Sequence, residues 1–414
     1  MARMLDSEEA ARRLGVKLTT LYAYVSRGLL ASHPSSVGRR SQFDVDEVER
    51  LARRSRQGKT VETRMATITT GITQLSDEGP VYRGRLATEL AMSTAYEEVA
   101  AWLWGAAPFE SIGDGSGHGG PTGAATWAPL SLGAPPSVGS SDRMRWAVVM
   151  AGAHNPLRAD LRPEAVTRTA RQVAASLVDV LPPASAGNRR TDSTAGPSGQ
   201  GPPLPPGSMA ARLALRLTSA PSEPLVRWVN AGMVLLADHE LATSTVAVRV
   251  AASTRADVCD SLLAGLGTLS GPLHGGASQL AYSLLVEAER RGVERALDDT
   301  LRWQGVLPGF GHSVYKHGDA RFGVLHGLFG VVAPPEKIGL VDSLIALAEQ
   351  HSIPPPNVDL ALASVAWATG MPPDAGSTLF AVARLAGWVA HYLEELEERP
   401  LRYRARAVYA SPHR

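Results

Sequence analysis

Cysteine is almost absent from this 414-residue chain: Cys259 stands alone, so no internal disulfide can form. A reducing, cytoplasmic setting is the expectation that follows. The opening Met1-Ala2-Arg3-Met4-Leu5-Asp6 lacks the apolar core of a signal peptide. No apolar run approaches the roughly 18 residues that a membrane-spanning helix needs, so no membrane partner is expected. Net charge is nearly missing too, at +1, but the balance is uneven. Residues 1–60 hold 12 Lys and Arg against 7 Asp and Glu, a surplus of +5, and the remainder holds 29 against 33, a deficit of −4. A basic head on a mildly acidic body points to different partners for the two parts. With 44% hydrophobic and 20% charged residues, the chain has the composition of a globular protein large enough for more than one domain.

Residues 6–30 read as helix, turn, helix. Asp6 or Ser7 can cap the first helix, Glu8 and Glu9 suit its positive end, and Ala10, Ala11 and Leu14 form an apolar stripe stopped by Gly15. Thr19 or Thr20 can cap a second helix, Leu21–Arg27. The polar segment Leu29–Phe43, with Gly38-Arg39-Arg40 at its centre, has the character of a small wing, and Asp44 caps a third helix, Val45–Arg56. A polar linker follows at 55–66.

Beyond the linker, helical periodicity dominates. Pro224–Ser253 reads as one long apolar helix, and Leu284–Trp303, Glu336–Gln350 and Thr378–Leu396 have the same spacing. No run alternates as a strand for more than a few residues, so the body is expected to be all-α. Two stretches break the pattern. Residues 111–141 are rich in Gly, Ser, Pro and Ala, and residues 182–207 hold seven prolines and five glycines, so both are expected to be unpacked excursions.

The chemistry-bearing residues sit at the turns. His274 lies in Gly271-Pro272-Leu273-His274-Gly275-Gly276 and His312 in Gly309-Phe310-Gly311-His312, where absent side chains let a backbone approach a ligand closely. A third histidine stands in Asp238-His239-Glu240 and an acid in Asn357-Val358-Asp359; Arg321, Arg384 and Arg404 follow the same trend toward the C-terminus. Three imidazoles, a carboxylate and several guanidiniums can enolise a carbonyl compound and join it to a polyanion. Asp359 also fits a plain helix cap, and His239 a hydrogen-bonded core histidine.

These motifs resemble the citrate synthase family. The likeness runs from about Gly71 to the C-terminus through "V-Y-R-G-R-L-A-T-E-L", "L-L-A-D-H-E-L", "G-P-L-H-G-G-A", "G-F-G-H-S-V-Y-K-H-G-D-A-R", "P-N-V-D" and "A-R-L-A-G-W-V-A-H". The head, "S-E-E-A-A-R-R-L-G-V…T-L-Y-A-Y", resembles the excisionase and MerR-like winged helix-turn-helix domains. Together they imply a helical body of large and small domains at 58–414, preceded by a winged helix-turn-helix at 1–57. The head resemblance implies that Thr19, Thr20, Tyr22 and Arg27 face duplex DNA, while Arg39 and Arg40 contact phosphates. Docking on a protein surface is the other use open to such a module.

The body resemblance implies an acyltransferase that condenses acetyl-CoA with oxaloacetate, as in the tricarboxylic acid cycle, with 2-methylcitrate synthesis from propionyl-CoA as the nearest variant. Asp359 would take the methyl proton, His274 would stabilise the enolate, and His312 would polarise the ketone. His239, Arg321 and Arg384 would hold the carboxylates of oxaloacetate. Arg404 would reach a neighbouring subunit's site, which implies a homodimer with shared active sites. No metal and no cofactor is implied; the CoA thioester is a co-substrate. Several residues depart from the family pattern: Ala242 where Asn is usual, Val246 for Phe, Ala320 for the proline of "D-P-R", Ser313 for Arg, and Leu360–Ala363 for "F-Y-S-G". They are expected to alter the pocket lining. A metabolite-sensing regulator that keeps this body and binds DNA through its head is the rival reading.

Overall fold

The computed structural model describes residues 4–14, 16, 21, 24–25, 30–34, 41–45, 47–49, 51, 68–105, 127–133, 135, 137–184, 204, 207–271 and 274–404. The chain divides into two compact units, Met1–Thr69 and Thr70–Arg414. In the first, β1 (Met4–Asp6), β2 (His33–Pro34) and β3 (Ser41–Asp44) form an antiparallel sheet in the order β1-β3-β2. The β2–β3 pairing agrees with the expected wing, whereas β1 is too short to betray itself by alternation. Helix α1 (Ser7–Leu14) is capped by Asp6, whose Oδ1 accepts from the Glu9 amide at 2.8 Å. Asp44 Oδ1 accepts from Glu47 N at 3.2 Å, as expected of a cap. Leu5, Ala10, Leu14, Leu21, Leu30, Phe43 and Val48 form this unit's core. All six residues assigned to DNA, Thr19, Thr20, Tyr22, Arg27, Arg39 and Arg40, lie outside the described residues, as does the linker at 55–66.

The second unit opens with a feature the alternation test missed. Strands β4 (Thr73–Ser76), β5 (Gly79–Tyr82) and β6 (Arg85–Leu86) make an antiparallel sheet, each strand too short to show a period. Arg83 (φ 41°) and Gly84 (φ 90°) close the β5–β6 hairpin, the pair of positive φ values that matches strand twist. Fourteen helices follow among the described residues. They are α2 (Ala87–Ser93), α3 (Tyr96–Leu103), α4 (Ser140–His154), α5 (Pro163–Asp179), α6 (Met209–Leu217), α7 (Glu223–Leu236) and α8 (Thr243–Ser253). Then come α9 (Val258–Leu269), α10 (Ala277–Arg291), α11 (Val293–Gln304), α12 (Ala320–Phe329), α13 (Pro335–Gln350), α14 (Val358–Ala368) and α15 (Ala375–Glu397). None is long and apolar enough to cross a membrane.

Helix α15 is the axis. It packs against α3, α5, α7, α8, α9, α10 and α14. A helix contacted from all sides must be apolar all round, and α15 is buried almost continuously from Thr378 to Tyr392. Three sequence expectations need correction. Pro224–Ser253 is not one helix, because α7 stops at Leu236 and α8 starts at Thr243. Leu284–Trp303 spans two helices that break at Gly292, where φ is 90°. The 111–141 stretch is packed in its second half: Trp127 is buried, stacks on Trp104 at 5.6 Å, and its carbonyl accepts from Arg212 at 2.9 Å. One large aromatic outweighs a loop-like composition there. Residues 111–126 and 185–203 lie outside the described residues.

The break between α7 and α8 is set from a distance. Gly387 N donates to the Ala237 carbonyl at 2.8 Å. A Cβ on Gly387 would sit 2.6 Å from that oxygen and collide with the Asp238 carboxylate. Gly387→Ala should therefore cost about 1–3 kcal/mol, the range for overpacking a rigid contact. Gly327→Ala, in open space on α12, should instead stabilise by about 0.5–1 kcal/mol. Thermal unfolding of both variants checks this, and equal melting temperatures would refute the clasp.

Candidate active site

The site begins where α7 ends. A helix end leaves carbonyls without intrahelical donors. Here Tyr82 Oη donates to Val234 O at 2.9 Å, and Arg384 Nε donates to Leu236 O at 2.9 Å. The chain then turns through Glu240, a non-glycine residue at φ 55°, with its amide donating to Asp238 Oδ2 at 3.1 Å. This strained turn presents His239, which is therefore on a turn and not on a helix. Its Nε2 is buried without a hydrogen-bond partner among the described residues, and its ring meets His312 edge-on at 5.3 Å and Tyr315 at 5.5 Å. Burial first, then Arg321, Arg384 and His312, hold its pKa well below the usual histidine value. At neutral pH it is an uncharged imidazole.

His312 and Asp359 are brought together by backbone pairing of two short segments. Gly311 N donates to Pro355 O at 2.8 Å, Asn357 N to Gly309 O at 2.8 Å, and the Asn357 side-chain amide to Gly311 O at 2.6 Å. Gly311 takes φ 75°, which bulkier residues resist. His312 Nδ1 accepts from Val314 N (3.1 Å) and Tyr315 N (3.2 Å), so the lone pair is on Nδ1 and the proton on Nε2. That Nε2–H lies 3.5 Å from Arg321 Nη2, two donors side by side that do not bond each other. Burial and the cations of Arg321 and Lys316 lower its pKa, against a weaker upward pull from Asp319. Arg321 is itself buried and held by a two-pronged pair to Asp319, with both distances 2.9 Å. Asp319 also accepts from Val358 N at 3.0 Å, tying the start of α12 to the start of α14.

Asp359 occupies the first turn of α14 but does not cap it. Asn357 does, accepting from Asp359 N at 2.9 Å, so the helix-cap alternative falls away. Among the described residues no hydrogen bond of the Asp359 carboxylate is formed. Burial pushes its pKa up, Arg321 opposes and Asp319 adds, leaving it at about 6.

His274 is fixed from behind. Trp388 Nε1 can only donate, and it lies 3.3 Å from Ser244 Oγ. Ser244 Oγ in turn lies 2.9 Å from His274 Nε2, a hydrogen bond that holds the ring by that nitrogen. Burial, then Arg384, lowers the pKa of His274. Gly275 serves the chain and not a ligand, since a Cβ there would collide with the Leu269 carbonyl. The Arg384 guanidinium lies 4.6 Å over Phe380, whose ring meets that of His274 at 6.1 Å. Arg384 is 1% exposed, and its Nη1 is buried without a hydrogen-bond partner among the described residues.

Six of the seven body residues singled out in the sequence thus belong to one neighbourhood. Arg404 is the exception: it is exposed, just past Arg402 and Tyr403, which both bind Glu395. Arg249 is wholly buried on Glu394 and Glu395, a structural tie. Sequence reading passed over Tyr315, Ser244, Trp388 and Asp319. Trp388 carried a signal, four residues after Arg384 on the same helix face. The departures from the family pattern fall in different surroundings. Leu360, Ala361, Leu362 and Ala363 are all buried in the core, Ser313 is exposed, and Ala242 is the uncapped N-terminus of α8. Helix α14 turns Leu360, Ala361, Leu362 and Ala363 into the helix packing.

Residues 61–406 match the family model for the citrate synthase C-terminal domain, and residues 4–56 match a helix-turn-helix domain model. Citrate synthase 2 of Bacillus subtilis is 36% identical over 200 residues, covering 46% of this chain and 53% of that protein. 2-Methylcitrate synthase 2 of Corynebacterium glutamicum is 32% identical over 181 residues, covering 42% and 47%. The match thus spans about half the length of these relatives. The citrate synthase of the archaeon Thermoplasma acidophilum, in a ternary complex with carboxymethyl coenzyme A and oxaloacetate, superposes with a TM-score of 0.64 at 25% identity. That likeness covers 86% of this chain and 97% of the archaeal one. With a helical body built around α15 and a family match over most of its length, the chain belongs to the citrate synthase family and carries an N-terminal helix-turn-helix domain.

Proposed function

We propose that the protein condenses an acyl-CoA thioester with oxaloacetate to give a citrate-type product and free CoA. One observation carries this reading: a fully buried arginine, Arg384, keeps Nη1 without a hydrogen-bond partner among the described residues, beside neutral imidazoles and a carboxylate at pKa about 6. A buried cation with no carboxylate in hydrogen-bond contact is costly unless a ligand supplies one. Oxaloacetate brings two carboxylates, for Arg384 and Arg321, and a ketone for the Nε2–H of His312. His239 completes the cradle as a neutral hydrogen-bonding group.

In the reaction, the Asp359 carboxylate takes a proton from the carbon next to the thioester. The Nδ1–H of His274 donates to the thioester oxygen as charge develops there. The new carbon nucleophile adds to the ketone, whose oxygen takes its proton from His312. Water then cleaves the thioester, releasing CoA. No metal or resident cofactor enters these steps. The 2-methylcitrate synthase relative keeps propionyl-CoA as the alternative thioester. A one-carbon difference in a pocket discriminates by only about 10- to 200-fold. We further assign Arg404 to the site of a second copy in a homodimer, and the protein to the cytoplasm.

A second reading of the head is favoured by its helix-turn-helix match and the +5 charge of residues 1–60: it binds duplex DNA, through Thr19, Thr20, Tyr22 and Arg27 with Arg39 and Arg40 on phosphates. Enzyme and regulator are compatible in one chain.

The first test follows free thiol with acetyl-CoA or propionyl-CoA in the presence of oxaloacetate. Thiol release is expected with at least one thioester, and none with either would refute the reaction. Asp359→Asn should lower turnover by roughly 10²–10⁴-fold, the span of a positioned general base. The same variant has a second signature. The folded pKa of about 6 lies above the ordinary 3.8, so the protonated carboxyl favours the folded state. That contribution is full below about 3.8 and lost as pH rises through about 6. Asp359→Asn should therefore raise stability at pH 8 by roughly 1–3 kcal/mol, with the gain shrinking toward pH 4. Thermal melts across that range check it; a variant less stable at pH 8 would mean that the carboxylate is structural. For the head, fluorescence polarisation with duplex DNA should show salt-dependent binding that is lost on deleting residues 1–57, and equal affinity without them would refute the assignment.

A further inference from the structure

A line of buried charge lies beside the groups that face substrate, and the proposed reaction does not use it. Asp238, His391, Arg249 and Glu395 are each 0% exposed. Arg249 Nη1 lies 2.9 Å from His391 Nδ1, and an arginine N–H can only donate, so Nδ1 holds the lone pair and Nε2 the proton. That proton faces Asp238 Oδ2 at 3.3 Å. The same oxygen accepts from Glu240 N, closing the turn that holds Glu240 at φ 55° and carries His239. At the far end, Glu395 receives Arg249 Nε at 2.9 Å, two nitrogens of Arg402 at 2.7 and 2.5 Å, and the Tyr403 hydroxyl at 2.9 Å.

Burying four charged or polar groups gains little stability over apolar packing, and leaving any one unpaired is costly. The rest of α15 shows that an apolar stripe is available to this helix. What the polar line adds is direction. The donors run one way, from Arg249 through His391 to Asp238, and they end on the turn that a non-glycine residue would otherwise leave. The line also shares a helix face with the site, since Arg384, Trp388, His391 and Glu395 follow one another at spacings of four, three and four along α15. We propose that His391 and Asp238 are positioning residues: anchored through Arg249 on Glu395, they lock the left-handed turn at Glu240 and so aim His239 at His312. The kinetic consequence, though not the geometry, rests on the reading of His239 as a ligand of oxaloacetate.

The test compares three variants of the full chain. His391→Leu keeps volume and removes both hydrogen bonds. His391→Gln retains a donor and an acceptor. His391→Asn keeps an acceptor for Arg249 but is too short to reach Asp238. In crystal structures, the Leu and Asn variants should show Glu240 out of the left-handed region and His239 displaced from His312, while the Gln variant keeps the native turn. Kinetically, the KM for oxaloacetate should rise roughly 10- to 100-fold in the Leu and Asn variants with a much smaller fall in kcat, and Gln should restore most of it. The Leu variant still leaves Arg249 on Glu394 and Glu395 and Asp238 on the Glu240 amide; should it nevertheless fail to fold, the Asn variant decides alone. An unmoved turn in the Asn variant, or a Gln variant as impaired as Asn, overturns the proposal. A wild-type protein without affinity for oxaloacetate would refute the proposed reaction, while the crystallographic comparison would still decide the positioning role.

Discussion

Two buried guanidiniums constrain everything near them. A guanidinium stays charged in a protein, so its burial must be balanced by dipoles and carboxylates brought to it. Arg321 is balanced by Asp319 in a two-pronged pair. Arg384 has no such partner among its hydrogen bonds; its Nε rests on the Leu236 carbonyl at the negative end of α7, and Asp238 contributes at longer range. The architecture follows from meeting those needs. Helix α7 must end at Leu236 to free that carbonyl, and the next turn must lie tight against α15, which only a glycine at 387 permits.

The same cations set the protonation states of their neighbours. His239, His274 and His312 all have pKa values lowered by burial together with Arg321, Arg384 or both, which favours the uncharged imidazole at each. Backbone amides donate to His312 Nδ1 and set its tautomer, and Ser244 holds His274 by Nε2. Asp359 moves the opposite way, because burial outweighs the pull of Arg321. Imidazoles that donate without charge, beside a carboxylate that accepts protons near neutrality, are suited to moving a proton off carbon.

How much of this could be read from the sequence depends on how local the cause is. His274, His312 and Asp359 sit in short motifs whose glycines and asparagine do their work within a few residues, so they were legible. Asp6 and Asp44 as caps were legible for the same reason. The end of α7 was not, because a run of Val, Leu and Ala carries full helical propensity and the breaking contact comes from Arg384, 148 positions away. Glu395, His391 and Asp238 were invisible as a line for a related cause. They are spaced correctly on α15, but their partners on α8 and the 238–240 turn are set only by tertiary packing. The sheet at 73–86 escaped because strands of two to four residues have no period to detect.

The departures from the family pattern gain a physical sense in this frame. Ala242 leaves α8 without a side-chain cap, a loss of roughly 1 kcal/mol that falls on helix α8 and not on its Ser244, which still holds His274. Leu360 backs the 309–311 segment: a Cβ on Gly309 would lie only 2.9 Å from its own. Leu362 packs against Gly376 on α15 in the same manner. These substitutions act on how closely the helices approach, whereas the groups proposed to meet substrate are held by hydrogen bonds from other residues. The scaffold and the site are separable here because the site is fixed by polar contacts to backbone and carboxylates. Its spacing tolerates a change of apolar side chain on α14 so long as Asn357, Asp319 and Val358 N keep the two segments joined.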